Sequence, residues 1–251
     1  MTPFTIQLTF QGDLSFFLKS KEPRLERQLT ERTSVKDVIE ACGVPHTEID
    51  LILVSDQPVD FAFVIGGQCE IDIHPVAQNS VTLFPEHRLQ MRNIRKFAAD
   101  GHLGKLVRDL RLLGIDVAYD REAEDRQLIR VAGENRALLT RDRRLLMHAA
   151  VRHGYYLRSQ NPLEQTVAML RRFDLGPVVA PFSRCLRCNA SLEPAEKENV
   201  LGQLGPLTKI YYNQFRRCRG CGQVYWSGSH FKKLQKRIET IRSLLGGRNA
   251  A

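Results

Sequence analysis

Asp100, Asp125 and Asp142 are the residues on which chemistry can be built, because each follows, or opens the helix after, a segment that reads as a parallel strand. In open α/β sheets the ligand crevice lies beyond the carboxyl ends of the strands, so carboxylates in these positions collect at one edge. Gathered carboxylates repel one another and gain from a cation between them, and hard oxygen ligands select Mg²⁺ or Mn²⁺. Such a cation lowers the pKa of a bound water for in-line attack and steadies the phosphate oxygens. The competing reading makes each aspartate a helix N-cap, a position that Asp favours. The basic neighbours Lys105, Arg108, Arg141 and Arg143 favour a phosphate-bearing substrate instead. Asp116, Asp120, Glu122 and Glu124 lie near the second strand, and any of them could add a ligand.

A second chemical signature is Cys185-x-x-Cys188 with Cys218-x-x-Cys221, the pairs separated by 29 residues. Two such knuckles read as a tetrahedral, closed four-thiolate Zn²⁺ site, structural because no position is left for water. Cys42 and Cys69 stand apart and read as core residues. Beyond the second knuckle, Tyr225, Trp226 and His230 precede KKLQKR, and residues 216–248 carry nine Lys and Arg against one acid, Glu239. Aromatics beside cations such as Lys232 and Lys233 can stack on unpaired bases, although a lone Trp at a zinc knuckle also serves as packing.

These groups need elements to hold them. TIQLTF and LSFFL read as a hairpin around Gly12-Asp13, and SVKDVIEACG as a helix with Ser34 as N-cap and Gly43 past its end. LILV, FAFVI and CEIDIH follow as strands, with Gly66-Gly67 as a turn. A ββαββ order resembles a ubiquitin-like β-grasp domain and the small sulfur carriers. The carriers use a free C-terminal Gly-Gly, whereas this pair is internal, so a docking role fits better.

After a linker near VAQNSVTLFPEHRLQMRN the pattern alternates. A strand ending at Lys96 to Ala99, helix LGKLVRDLRLLG, strand IDVAY, helix EDRQLIRVAGEN, strand ALLT, helix RDRRLLMHAAVRHG, strand YYLRS and helix PLEQTVAMLRRFDLG imply a parallel sheet flanked by helices. Lys105, Arg108 and Arg111 share one broad side of their helix and suit phosphate contact. A basic helix ends the chain, before the frayed GGRNAA.

Charge divides the chain: residues 1–88 hold 7 Lys and Arg against 13 acids, and residues 89–251 hold 30 against 15, which gives the total of +9. An excess of that size favours polyanions, of which nucleic acid is the usual one. Without an apolar run of about 20 residues or a secretory leader, the expected place is the cytoplasm, with no membrane partner. Reduced thiols for metal binding suit that compartment.

FAADGHLGKLVRDLRLLGIDVAYD, EDRQLIRVAGENRALLTRDRRL, RCLRCNASLE and CGQVYWSGSHFKKL together resemble the Mut-seven C-terminal ribonuclease family, a PIN-like nuclease domain fused to a zinc ribbon. The β-grasp segment resembles the ubiquitin-like domain often attached to it. The resemblance implies an α/β chain of three parts: a β-grasp over 1–80, a PIN-like parallel sheet over 93–178, and a zinc ribbon with a basic helix over 182–240. It further implies Asp100, Asp125 and Asp142 as ligands of a catalytic Mg²⁺ or Mn²⁺, and Cys185, Cys188, Cys218 and Cys221 as Zn²⁺ ligands. PIN-like nucleases usually present a fourth acid. The expected activity is metal-dependent hydrolysis of RNA, with Lys105, Arg108, Arg141, Arg143, Trp226, Lys232 and Lys233 on the RNA. The alternatives are a non-catalytic RNA-binding or ribosome-associated adaptor and a β-grasp module that docks a protein partner.

Overall fold

The structure is a computed structural model and describes residues 2–76, 84–91, 93–133 and 135–246. The middle of the expected linker, and GGRNAA beyond its first glycine, lie outside the described residues. Two compact units form, one of Met1–Ile94 with Glu124–Leu157, the other of Arg95–Ala123 with Arg158–Ala251.

In the first unit, β1 (Phe4–Phe10), β2 (Arg24–Leu29), β3 (Thr33–Ser34), α1 (Val35–Ala41), β4 (Ile49–Val54), β5 (Gln57–Val59), β6 (Val64–Ile65) and β7 (Cys69–Pro75) build the β-grasp. Its main sheet runs β2-β1-β7-β4-β5, with β1 and β7 parallel at the centre and the other pairs antiparallel. Strand alternation turns Ile6, Leu8 and Phe10 inward with Ile71 and Ile73, and α1 covers them with Val35, Val38 and Ile39. The Ser34 hydroxyl accepts from the Asp37 amide at 3.1 Å, so the expected cap starts α1. Cys42 is buried in this core, and Cys69 packs against it.

LSFFL is not a strand. Gly12–Phe17 is a 3₁₀ helix that buries Leu14 and Phe17, and the partner of β1 is RLERQL. Alternation within LSFFL is absent, since Leu14, Phe17 and Leu18 recur at helical spacing. RLERQL reads as polar because β2 is an edge strand, and edges carry charge against further pairing. FAFVI contributes only the two residues of β6, paired with β3.

The α/β portion contains β8 (Lys96–Ala99), α2 (Gly104–Leu112), β9 (Asp116–Tyr119), α3 (Asp125–Ala132), β10 (Ala137–Thr140), α4 (Arg143–Leu146), β11 (Gly154–Tyr156) and α5 (Pro162–Arg172). Its strands pair in parallel: β8 with β9 in the second unit, β10 with β11 in the first. Pro162 takes N1 of α5 behind an Asn161 cap. The helix expected over 141–154 stops after four residues. There the His148 ring accepts the Ala150 amide at 3.2 Å, and the chain turns to bury Val151.

Within the first unit the β-grasp is bonded to 143–156. The Tyr156 amide donates to buried Glu48 Oε1 at 2.7 Å, His46 Nε2 to Val151 O at 2.7 Å, and Arg143 Nη1 to Phe17 O at 2.8 Å.

The second unit ends in β12 (Leu192–Ala195), α6 (Pro206–Tyr211), β13 (Phe215–Cys218), β14 (Val224–Trp226) and α7 (Phe231–Gly246), with β12-β13-β14 antiparallel. Ile238 and Ile241 are the buried face of α7, and Arg237 holds it to α2 through a bidentate pair with Asp109. No helix of the described residues is long and apolar enough to cross a membrane.

Candidate active site and metal centre

Asp100 leaves the end of β8 half-buried, and its carboxylate accepts from the His102 amide at 3.4 Å as the cap of a 3₁₀ turn. Ala99 pairs with Tyr119 as the last rung between β8 and β9, so Asp100 and Asp120 leave the strands as neighbours in register. The loops that follow touch. A Cβ on Gly101 would stand 2.5 Å from the Arg121 carbonyl, one on Gly104 would meet the Tyr119 hydroxyl at 2.9 Å, and that hydroxyl donates to Gly101 O at 2.8 Å. The two glycines of DGHLG therefore let the two acid-bearing loops close on each other. Asp120 is exposed, with one oxygen accepting from the Glu122 amide at 3.0 Å.

Asp116 sits at the opposite end of β9, where Arg184 at 3.4 Å and Asn189 at 2.9 Å hold it. It is an anchor, which leaves Asp120 as the register neighbour of Asp100. Asp142 follows β10 and caps α4, Oδ1 accepting from the Arg144 and Leu145 amides at 2.7 and 3.4 Å. Asp125 is the exposed first residue of α3, whose N-cap is Glu124. Asp100 belongs to the second unit, Asp125 and Asp142 to the first. Among the described residues, the one group of three or more His, Cys, Asp or Glu with ligand atoms within 4.8 Å of one another is a set of thiols.

The basic residues divide. Lys105, Arg108, Arg141, Lys232 and Lys233 are exposed. Arg143 instead faces the β-grasp, with its guanidinium carbon 5.1 Å from the Phe17 ring centre and 5.7 Å from that of Tyr156. Arg111 does not share the exposed face of α2: it is buried, donating to Val117 O at 2.9 Å and to Leu186 O and Arg187 O at 3.2 and 2.8 Å.

The thiol group is Cys185, Cys188, Cys218 and Cys221. Sγ atoms of Cys185 and Cys221 lie 3.6 Å apart and those of Cys188 and Cys218 3.3 Å, near the edge of about 3.8 Å in a tetrahedron with Zn–S bonds of about 2.3 Å. Gly220 completes the cradle, because a Cβ there would meet Cys188 Sγ at 3.2 Å. Amides of Gly220 and Cys221 donate to Cys218 Sγ at 3.3 and 3.4 Å, and the Tyr225 hydroxyl donates to Cys185 Sγ at 3.1 Å. Burial pushes the Cys185 thiol up, but the Tyr225 hydroxyl and the Cys188 and Arg187 amides outweigh it and bring the thiol to about 6. Burial and the neighbouring thiols raise Cys218 to about 12. Four thiolates at this spacing fit Zn²⁺ in a closed site.

The Mut7-C RNAse domain pattern matches residues 95–238, more than half of the chain, and the Mut7-C ubiquitin pattern matches residues 4–81. The chain belongs to the Mut7-C RNAse family. No curated protein matches it.

In this Mut7-C chain the first knuckle is bonded to β9 by Arg111, Asn189 and the Arg184–Asp116 pair. Four thiolates around a divalent cation leave a net charge of −2, and Arg111 brings a buried positive charge beside them. Burial pulls the Arg111 pKa down, opposed by the charges of Cys185, Cys188 and Asp116. Arg111→Ala should destabilise the Mut7-C domain by roughly 2–4 kcal/mol, because buried carbonyls lose their donors. Urea denaturation of the metal-loaded protein checks this, and a change within about 0.5 kcal/mol, as at an ordinary surface site, would contradict it. Sequence reasoning left Asp120 as one of four acids near the second strand, and the strand register singles it out as the neighbour of Asp100; it missed the roles of Arg111 and Tyr225. The string YWSGSH was the sole hint of the last.

Proposed function

We propose that this chain is a metal-dependent ribonuclease whose Asp100, Asp125 and Asp142 hold Mg²⁺ or Mn²⁺ against an RNA phosphodiester. Membership of the Mut7-C RNAse family carries the reading. The positions of Asp100 and Asp142 at the carboxyl ends of parallel strands support it. Asp120 is the fourth acid, as the register neighbour of Asp100. When bound, the cation supplies charge neutralisation and a more acidic water. The chain's own part is placement: Lys105, Arg108 and Arg141 hold backbone phosphates, while Arg143 ties the Asp142 turn to the β-grasp. Cys185, Cys188, Cys218 and Cys221 hold a structural Zn²⁺, and Trp226, Lys232 and Lys233 extend the RNA surface.

A second reading, an RNA-binding adaptor without turnover, draws support from Asp100 and Asp142 both being used as caps. Incubating the zinc-loaded protein with labelled single-stranded RNA separates the two. Cleavage that requires added Mg²⁺ or Mn²⁺ supports the nuclease. Binding that weakens steeply with salt, with intact RNA in either metal, supports the adaptor.

A further inference from the structure

A cavity of about 540 Å³ opens on the ribbon within the second unit, walled by Phe182, Tyr225, Trp226, Phe231 and Leu192. This volume falls in the range of roughly 300–1,000 Å³ typical of small-ligand sites. Three features separate it from leftover packing space. Trp226 is 37 % exposed and lies outside the ribbon's buried clusters, which are built from Val200, Leu204, Phe215 and Val224 and from Cys185, Leu192 and Cys218. Its indole lies directly over Gly228, where a Cβ would stand 2.7 Å from Nε1, so only glycine leaves the ring room in this place. Phe182 stacks on Phe231 with centroids 4.7 Å apart, and does so at φ 59°, a left-handed conformation that a bulky residue adopts at a cost. Bonds from its amide to Leu112 O at 3.0 Å and from Arg216 Nη1 to its carbonyl at 2.9 Å hold it there. Strain of this kind, overridden by surrounding bonds, accumulates at ligand sites.

The chemistry of the lining selects the occupant. Aromatic faces are joined by the hydrogen-bonding side chains of Ser227, Ser229 and His230, and no acid is among the lining residues. Exposed Lys232 and Lys233 follow directly on α7. A flat ring with a polar edge and an anionic tail matches all three features at once. We propose that this cleft takes one unpaired RNA base, stacked on the Trp226 and Phe231 rings, with its phosphates on Lys232 and Lys233. The proposal rests on the ribonuclease reading for the identity of the polymer and deepens it: the substrate is single-stranded or looped RNA, because a base inside a duplex cannot reach the rings.

Trp226 is the single tryptophan of the chain, so its fluorescence reports from the cleft. The zinc-loaded full chain is titrated, without Mg²⁺ or Mn²⁺, with a short adenine oligoribonucleotide, an abasic strand of equal length, and an RNA duplex. The expected result is saturable quenching by the adenine strand alone, with Phe231→Ala weakening its affinity roughly tenfold. Equal quenching by the abasic strand or duplex would overturn the proposal, as would unquenched emission while fluorescence anisotropy shows the adenine strand bound. Quenching by an apolar peptide and not by RNA would overturn it too. Base-dependent quenching with no cleavage in Mn²⁺ would keep the cleft and remove the nuclease. Cleavage without base-dependent quenching would do the reverse.

Discussion

Asp142→Asn is expected to lower RNA cleavage by roughly 10²–10³-fold while leaving the fold intact. Asparagine caps a helix about as well as aspartate, so the hydrogen bonds to the Arg144 and Leu145 amides survive and stability shifts by only a few tenths of a kcal/mol. The substitution removes the negative charge, which only cation binding needs. If Asp142 were a cap and nothing more, Asn would be nearly silent in activity and Ala would cost about 1 kcal/mol of stability. The comparison therefore separates the two readings of the same residue. Cleavage rates of the Asn variant at saturating Mn²⁺, together with its thermal midpoint, provide the check. Unchanged cleavage would count against the assigned role.

Stripping zinc should unfold the ribbon. Its apolar clusters contain four and three buried residues, too few to order 182–226 alone, whereas structural zinc supplies an apparent binding energy of about 10–16 kcal/mol in small knuckles. A strong chelator is expected to abolish the near-ultraviolet dichroism of Trp226, and one equivalent of Zn²⁺ to restore it. Metal binding requires thiolates, so it competes with protons. In the unfolded, metal-free ribbon the thiols return to the ordinary range of about 8.5 and are mostly protonated at neutral pH, so loading releases protons and affinity rises with pH. Unchanged dichroism after complete removal of the metal would contradict this account.

Much of the molecule was legible in its residues, and the failures share a cause. Ser34 and Pro162 fix helix starts through local chemistry, and both act as their types predict. The two CxxC pairs also carry their geometry in their spacing. Periodicity failed where tertiary bonds decide. RLERQL is a strand because β1 offers it an edge, and 141–154 breaks because Val151 must be buried. Arg111 follows the same spacing as Lys105 and Arg108, yet the carbonyls of Val117, Leu186 and Arg187 draw it inside. Arg143 looked like a phosphate ligand until Phe17 and Tyr156 supplied a carbonyl and two ring faces. In the sequence alone a cation bound for a protein carbonyl and one bound for a phosphate look alike.

Crystals of the zinc-loaded protein soaked in Mn²⁺ test the carboxylate site most directly. Anomalous scattering is expected to give a manganese peak within bonding distance of the Asp100 and Asp142 carboxylates, in addition to zinc at the four thiols. Manganese absent from those carboxylates at saturating concentration, or bound only at surface acids elsewhere, would contradict the account.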